Sequence, residues 1–270
     1  MPELPEVETT RCGIEPYVTG HTVIKVTTRI KKLRWPIPRN IQSNLKEKKF
    51  LSTSRRAKYL LLENEVGHLI IHLGMSGSLR ILDPDTPAQK HDHVDIIFNN
   101  HMLRFRDPRR FGAMLWTKTN PYQHKLLSPL GPEPLSSEFT ADYLYHCSRN
   151  RKLSIKEFIM HSHIVVGVGN IYATEALFMS KIHPTRSAGN ISLTRYHLLV
   201  DAIKQVLTNA LKSGGTTLRD FTRENGNPGY FKQQLDVYGR ASLPCVICAQ
   251  PLRAIKQGQR TTTYCTQCQH

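Results

Sequence analysis

Four of the six cysteines fall within the last 26 residues, as the pairs Cys245-Val-Ile-Cys248 and Cys265-Thr-Gln-Cys268. Few other features of the chain leave it so little choice of fold. Each Cys-x-x-Cys loop turns two thiols to one side, and the 16 residues between the pairs are enough for a hairpin that returns the second pair opposite the first. That spacing is a zinc ribbon. Disulfides are the alternative, but they suit secreted chains. This N-terminus, "MPELPEVETT", is acidic and has no apolar targeting segment. Four thiolates fill a tetrahedral zinc site and leave no position for a reacting water, so one structural zinc ion is expected. The remaining cysteines, Cys12 and Cys147, are isolated and read as reduced, partly buried thiols.

The rest of the chain changes character twice. "LPEVETTRCGIEPYV" predicts a helix with Pro5 in its first turn, Glu6 and Glu8 at its positive end, and Leu4, Val7, Ile14 and Val18 on one face. From about residue 22 to 117 short β-rich runs follow one another, among them "TVIKVTTRI", "YLLLE", "HLIIHLG", "SLRIL", "HVDIIF" and "MLRFR". Gly, Asn and Asp-Pro signals split them, which argues for an antiparallel sandwich or barrel. A Pro-rich connector, "SPLGPEPLSSE", then gives way to helices. Ser154 and Glu157 form a capping box, 171–180 reads as a short helix, and Thr194 is placed to cap a longer one. In that last helix Leu199, Ile203, Val206, Leu207 and Ala210 share a face, and Gly214–Gly215 are expected to end it. The fold class is therefore α+β: a β-rich N-terminal part, a helical middle and a metal-bound hairpin.

Charge narrows the partners. With 37 Lys and Arg against 21 Asp and Glu, the net charge is +16, which points to a polyanion, nucleic acid before an acidic membrane surface. No apolar run approaches the length of a membrane span, and an intracellular protein is expected.

Candidate chemistry begins at the first residues. If the initiator Met is trimmed, Pro2 presents a secondary amine with a pKa of about 7.7–8, nucleophilic at neutral pH, with the carboxylates of Glu3 and Glu6 beside it. The plainer alternative is a capped helix start with exposed acids. Lys58 stands one residue ahead of an apolar run, either a routine flanking lysine or a cation aimed into a cleft. His72 and Met75 lie between glycines in "HLGMSG". Arg109 and Phe111 follow Asp-Pro in "RDPRRFGAM". A guanidinium and a ring on a loop are what a DNA-probing wedge requires, whereas a surface hairpin with a buried Phe is the alternative. In "VVGVGNIYA", Asn170 enters a helix whose N-terminus could hold a phosphate. Arg253, Lys256 and Arg260 place cations on the zinc hairpin, as phosphate binding needs.

Together these stretches resemble the formamidopyrimidine-DNA glycosylase family. The likeness runs in order through "MPELPEVET", "RRAKYLL", "HLGMSG", "DPRRFG", "VVGVGNIYA", "GGTTLRDF", "GNPGYF", "VYGR" and the four-cysteine finger with "QRTTTYC". The resemblance implies a bifunctional DNA glycosylase and abasic-site lyase with an N-terminal antiparallel β-sandwich, a helix–two-turns–helix module and a zinc finger. It implies a catalytic domain over 1–130, a DNA-binding domain with a lesion-recognition loop over 131–236, and a finger over 237–270. On this likeness Pro2 attacks C1′ of an oxidised purine nucleotide and forms an iminium. Glu3 assists ring opening and proton transfers, Glu6 positions the site, and Lys58 contacts a phosphate and aids base loss. Met75, Arg109 and Phe111 correspond to the residues that fill the gap left by a flipped base. His72, Asn170 and Arg260 correspond to phosphate contacts, and Cys245, Cys248, Cys265 and Cys268 to zinc ligands. The partner would be double-stranded DNA, met by a monomer in the bacterial cytoplasm at the nucleoid.

Two alternatives stand beside this one. The sister family of endonuclease VIII removes oxidised pyrimidines and starts like "PEGPE" where this chain has "PELPE". A zinc-ribbon DNA-binding protein without catalysis would account for the charge and cysteines but not for the Pro-Glu start, Lys58 or the wedge. One stretch departs from the family pattern, the His-rich "MHSHI" over 160–164.

Overall fold

The computed structural model describes residues 2–214 and 235–270; the expected lesion-recognition segment 217–230 lies outside the described residues. The chain divides into two compact units, one holding residues 1–128 with 213–231, the other 129–212 with 232–270.

The first unit opens with helix α1 (Leu4–Val18), whose Leu4, Val7, Ile14 and Val18 are all buried, as the spacing predicts. Eight strands follow: β1 (Lys25–Thr28), β2 (Phe50–Arg56), β3 (Tyr59–Asn64), β4 (Gly67–His72), β5 (Ser78–Leu82), β6 (Asp92–Ile97), β7 (Met102–Arg106) and β8 (Ala113–Thr117). They form two four-stranded antiparallel sheets, ordered β1-β6-β7-β5 and β2-β3-β4-β8. Inward residues of both, such as Leu60, Leu62, Leu69 and Ile71 from one and Leu79, Val94, Ile96 and Phe105 from the other, build a single apolar core. Helix α1 packs on β2 and β3 of one sheet and on β5 of the other, so the helix is held by both layers. A five-residue helix, α2 (Ile41–Leu45), joins β1 to β2.

The second unit is helical. Helices α3 (Ala141–Ser148), α4 (Ile155–Met160), α5 (Asn170–Met179) and α6 (Leu193–Gly214) close around Phe158, Tyr172, Leu177, Tyr196, Leu199 and Ile203. Ser154 caps α4, its Oγ accepting from the Glu157 N–H at 3.3 Å and donating to the Glu157 carboxylate at 2.6 Å. Thr194, by contrast, does not cap α6. The helix begins one residue earlier at Leu193, and it is Ser192 Oγ that accepts the Arg195 N–H at 3.4 Å. Strands β9 (Arg253–Gln257) and β10 (Arg260–Tyr264) form the C-terminal hairpin. Its two-residue turn, Gly258–Gln259, has φ of 49° and 62°, the left-handed pair that a tight hairpin favours.

Among the described residues, no helix is long and apolar enough to cross a membrane.

Candidate functional site

At the start of α1 the Glu3 N–H donates to the Glu6 carboxylate at 2.7 Å, half of a reciprocal capping box in which Glu3's own carboxylate takes the Glu6 N–H. Glu3 is only 3% exposed, so the alternative of a helix start with two solvated acids does not hold. A buried carboxylate is thus fixed next to Pro2, which is itself half-buried.

Lys58 is tied to the same helix through Arg55, which lies within "RRAKYLL" but to which the sequence alone assigns no role of its own. Arg55 donates from Nε to the Glu8 carboxylate of α1 at 2.8 Å and from Nη1 to the Ala57 carbonyl, also at 2.8 Å. Ala57 and Lys58 form the two-residue turn between β2 and β3, and Ala57 has a positive φ of 54°. Arg11 also reaches Glu8, at 2.8 Å. Burial alone would raise the Glu8 pKa; the hydrogen bonds and charges of Arg11 and Arg55 outweigh it and hold the carboxyl below its ordinary range. Glu8 is therefore an anionic peg between α1 and the Lys58 turn.

His72, at the end of β4, faces Tyr59 across the ladder with ring centroids 4.7 Å apart. Its Nδ1 accepts the Gly74 backbone N–H at 2.9 Å, which requires a neutral ring with the proton on Nε2. The electrostatics agree: burial first, then the charges of Lys58 and Arg34, push its pKa down to about 4. Lys58, His72 and Arg34 therefore interact electrostatically, and Arg34 is an addition to the residues read from sequence.

The loops that follow present Met75, 42% exposed, and Phe111, 44% exposed. Phe111 is thus no buried hairpin anchor. The Arg109 guanidinium lies over the Phe111 ring, 4.8 Å from its centroid. Ser76 Oγ accepts the Arg109 backbone N–H at 3.1 Å, joining the Met75 loop directly to the Arg109 loop. The two loops also interlock as backbone on backbone. Gly74 has a φ of 65°, and a Cβ there would come within 2.4 Å of the Phe111–Gly112 peptide.

In the second unit Asn170 begins α5, as the sequence suggests. Its Oδ1 accepts from Lys156 Nζ at 2.6 Å and its Nδ2 donates to the Thr261 carbonyl at 3.1 Å. Lys156 is 1% exposed and also donates to Thr262 Oγ1 at 2.6 Å, so a buried lysine joins α4, α5 and β10. Lysines are rarely buried so completely, and no sequence signal marks this one. Arg260 is exposed at the first position of β10, beside the hairpin turn. Arg253 and Lys256 lie within strand β9 and not on a loop, so by strand alternation they point to opposite faces. Glu175 of α5 accepts backbone N–H groups from Asp236, Val237 and Tyr238 at 2.9, 3.0 and 2.7 Å, fixing the start of the "VYGR" stretch. His161 and His163 are exposed between α4 and α5, their ring centroids 5.2 Å apart.

The Sγ atoms of Cys245, Cys248, Cys265 and Cys268 all lie within 4.8 Å of one another. The Cys245–Cys268 and Cys248–Cys265 separations are 3.9 and 3.5 Å. These match the edge of a tetrahedron with zinc–sulfur bonds of about 2.3 Å, about 3.8 Å, and are far longer than a disulfide bond of about 2.05 Å. Burial would raise the Cys245 thiol, but backbone N–H groups of Cys248 and Ile247 bring it down to about 7, whereas burial and the neighbouring thiols push Cys268 up to about 12. The fit to a metal therefore rests on the geometry of the four sulfurs. Cys245 and Cys265 pack with Phe178, Val237 and Leu252 in a small apolar core of their own. The residues present fit one structural zinc ion.

Comparison with known proteins matches three stretches to described families. Residues 1–114 match the formamidopyrimidine-DNA glycosylase N-terminal domain, 130–222 the formamidopyrimidine-DNA glycosylase H2TH domain, and 242–270 the zinc finger found in FPG and IleRS. The chain is 56% identical to the formamidopyrimidine-DNA glycosylase of Nitrosococcus oceani and 57% identical to that of Syntrophotalea carbinolica, over the full length of both partners in each case. Among solved structures it resembles a Lactococcus lactis FPG mutant in complex with a Fapy-dG containing DNA, at 33% identity and a TM-score of 0.91 over 99% of each chain. It also resembles the L. lactis enzyme with an abasic site containing DNA, at 31% identity and a TM-score of 0.89 over 99% of each chain.

Proposed function

The chain belongs to the formamidopyrimidine-DNA glycosylase family, and from that premise we propose that it excises oxidised purines from duplex DNA by covalent catalysis at Pro2. Membership makes it a base-excision repair enzyme of a glycosylase and abasic-site lyase family. Relatives crystallised on DNA carrying Fapy-dG or an abasic site support the substrate class. We read 1–130 as the catalytic domain, 131–236 as the helix–two-turns–helix domain with its lesion loop and 237–270 as the finger. The protein acts as a monomer on the nucleoid of a bacterial cytoplasm.

The observation that carries the mechanism is the buried Glu3 carboxyl held beside Pro2. With Met1 removed, the Pro2 nitrogen attacks C1′ of the extruded nucleotide as the glycosidic bond breaks, and the base departs with a proton. Glu3 protonates the ring oxygen as the sugar opens, so the positive charge comes to rest on a Pro2–C1′ iminium. A secondary amine forms an iminium that cannot be neutralised by losing an N–H proton, which makes it a persistent electron sink. Loss of the C2′ proton then expels the 3′ phosphate by β-elimination, and δ-elimination expels the 5′ phosphate. Water at C1′ finally releases the sugar fragment and returns the amine. Glu6 holds Glu3 through the capping box, and Lys58, on the turn tied to α1, meets the phosphate of the damaged nucleotide.

Met75, Arg109 and Phe111 fill the gap in the stack. Extrusion costs a few kcal/mol, which phosphate contacts from His72, Asn170 and Arg260 offset. Zinc, held by the four cysteines, shapes the hairpin that bears Arg260 and takes no part in the chemistry.

Borohydride trapping on a duplex with one 8-oxoguanine opposite cytosine, followed by N-terminal peptide mass analysis, tests this reading. The expected result is an adduct on Pro2 with Met1 absent. An adduct formed only with an oxidised pyrimidine would move the chain to endonuclease VIII-like chemistry. None on either, from zinc-loaded protein with Pro2 exposed, would leave a DNA-binding protein without catalysis.

A further inference from the structure

We propose that Asp107 is the positioning residue that locks Met75, Arg109 and Phe111 into one rigid probe; this rests on the wedge role given to those three residues above. Asp107 is fully buried, 0% exposed, in the turn after β7. Every polar atom it has is in use. Its Oδ1 accepts from Ser76 Oγ at 2.6 Å and from the Arg109 N–H at 3.3 Å, and its Oδ2 accepts from the Gly112 N–H at 2.7 Å. Its backbone N–H donates to the His91 carbonyl at 3.1 Å, and its carbonyl accepts from buried His93 Nε2 at 2.8 Å. One carboxylate thereby grips the residue after Met75, the backbone of Arg109 and the residue after Phe111.

The chemistry of the grip is specific. All three partners donate hydrogens, and only a carboxylate offers acceptors alone on both of its oxygens. Asparagine has the same shape but turns an N–H₂ group toward one of those donors. Glutamate is a methylene too long for a turn in which a Cβ at Gly112 would already sit 3.0 Å from Asp107 Oδ2 and 2.7 Å from the Phe105 ring. Inserting a wedge into stacked bases requires that the tips not recoil. Among the described residues, Asp107 is the one side chain that hydrogen-bonds both loops at once, through Ser76 on one and Arg109 and Gly112 on the other. A burial of this kind, placed under three exposed side chains, stiffens them without touching DNA.

The test compares two substrates. Asp107→Asn is expected to excise 8-oxoguanine from a fully paired duplex about 100-fold more slowly under single-turnover conditions. The same variant should cut a preformed abasic site, or excise the lesion from an unpaired bubble, within about threefold of wild type, because no base has to be driven from a stack. Ser76→Ala, which removes one donor and keeps the carboxylate, should show the same pattern more weakly and serves if the first variant does not fold. Wild-type duplex activity from either folded variant would overturn the proposal, as would an equal loss on both substrates, which marks a merely structural role. Wild-type protein run alongside separates the two readings: if it cuts neither substrate, the glycosylase reading fails and this proposal falls with it.

Discussion

The two units of the molecule fix their functional side chains by different means. In the first, the candidate side chains stand on carboxylates that are buried or half-buried: Glu8, with Arg55, beside the Lys58 turn, the Glu3–Glu6 box beside Pro2, Asp107 beneath the exposed wedge. In the second, the exposed Arg260 and the half-buried Asn170 are held by a buried lysine and a four-thiol cluster with a small apolar core. The difference follows the tasks. On the proposed mechanism, bond-making at C1′ and intercalation tolerate little displacement, and ionic hydrogen bonds are directional. Phosphate binding is longer in range and more tolerant, so a hairpin stapled by a metal suffices.

Removing the metal separates the units most sharply. Structural zinc contributes about 10–16 kcal/mol in finger peptides, more than the small core around Phe178 and Leu252 could replace. Both tryptophans, Trp35 and Trp116, belong to the first unit. Treatment with a strong chelator should therefore abolish specific DNA binding, with affinity falling at least about 100-fold. The salt dependence of whatever binding persists should flatten by about one unit for each phosphate that the finger no longer neutralises. Tryptophan fluorescence and its melting curve should stay unchanged. A shift in the tryptophan melt would mean that the first unit is not independently held, and the comparison would break.

A smaller effect is expected at Lys156. Substitution by Met keeps the length of the buried stem but leaves Asn170 Oδ1 and Thr262 Oγ1 without this donor. An unsatisfied buried polar group such as Thr262 Oγ1 costs about 1–3 kcal/mol, so thermal unfolding of the helical unit should move down by several degrees. Affinity for DNA should fall about tenfold as the Asn170 amide loses its orientation, with abasic-site cleavage at saturating DNA little changed. Unaltered affinity would show that Asn170 is positioned by its backbone alone.

Residues whose role is set by local pattern were legible in the sequence. Helix α1 is predicted to the residue by its stripe, and "SLRIL" and "MLRFR" coincide with β5 and β7. Strand β2, "FLSTSRR", escaped because its second buried position is Thr53, its leucine, Leu51, is exposed and its register shifts after Phe50, so no apolar alternation marks it. Helix α3 escaped as a short polar segment capped by Thr140. In the site, the exposed tips could be read from "HLGMSG" and "DPRRFG". Their supports could not, because the burial of Asp107 and Lys156 and the pairing of Glu8 with Arg55 are tertiary facts: in the sequence each is one charged residue among many. Asp107 was visible only as a turn signal before Pro108, and the structure shows that its carboxylate carries the loop.

The subtlest difference between the units concerns the charge of the phosphate contacts. On the proposed reading, Arg260 meets phosphate through a guanidinium, whereas His72 would meet it as a neutral donor, its Nδ1 taken by the Gly74 N–H and its pKa pushed down to about 4. The contribution of His72 to DNA affinity should therefore be flat from pH 5 to 8; a cationic His72 would strengthen binding as pH falls through its ordinary value of 6.5. His72→Gln keeps a neutral donor, so affinities of the variant and wild type measured across that range should run parallel within about threefold. Stability gives the complementary sign. The unfolded chain takes up a proton at His72 below 6.5 while the folded chain resists until about 4, so wild-type stability contributed by this site is present above 6.5 and declines as pH falls toward 4. The Gln variant lacks that decline, and its melting temperature should drop less than that of wild type between pH 7 and 5. If instead the two affinity curves diverge below pH 6, with wild type binding more tightly, DNA has reprotonated the ring and His72 joins Arg260 as a charged contact.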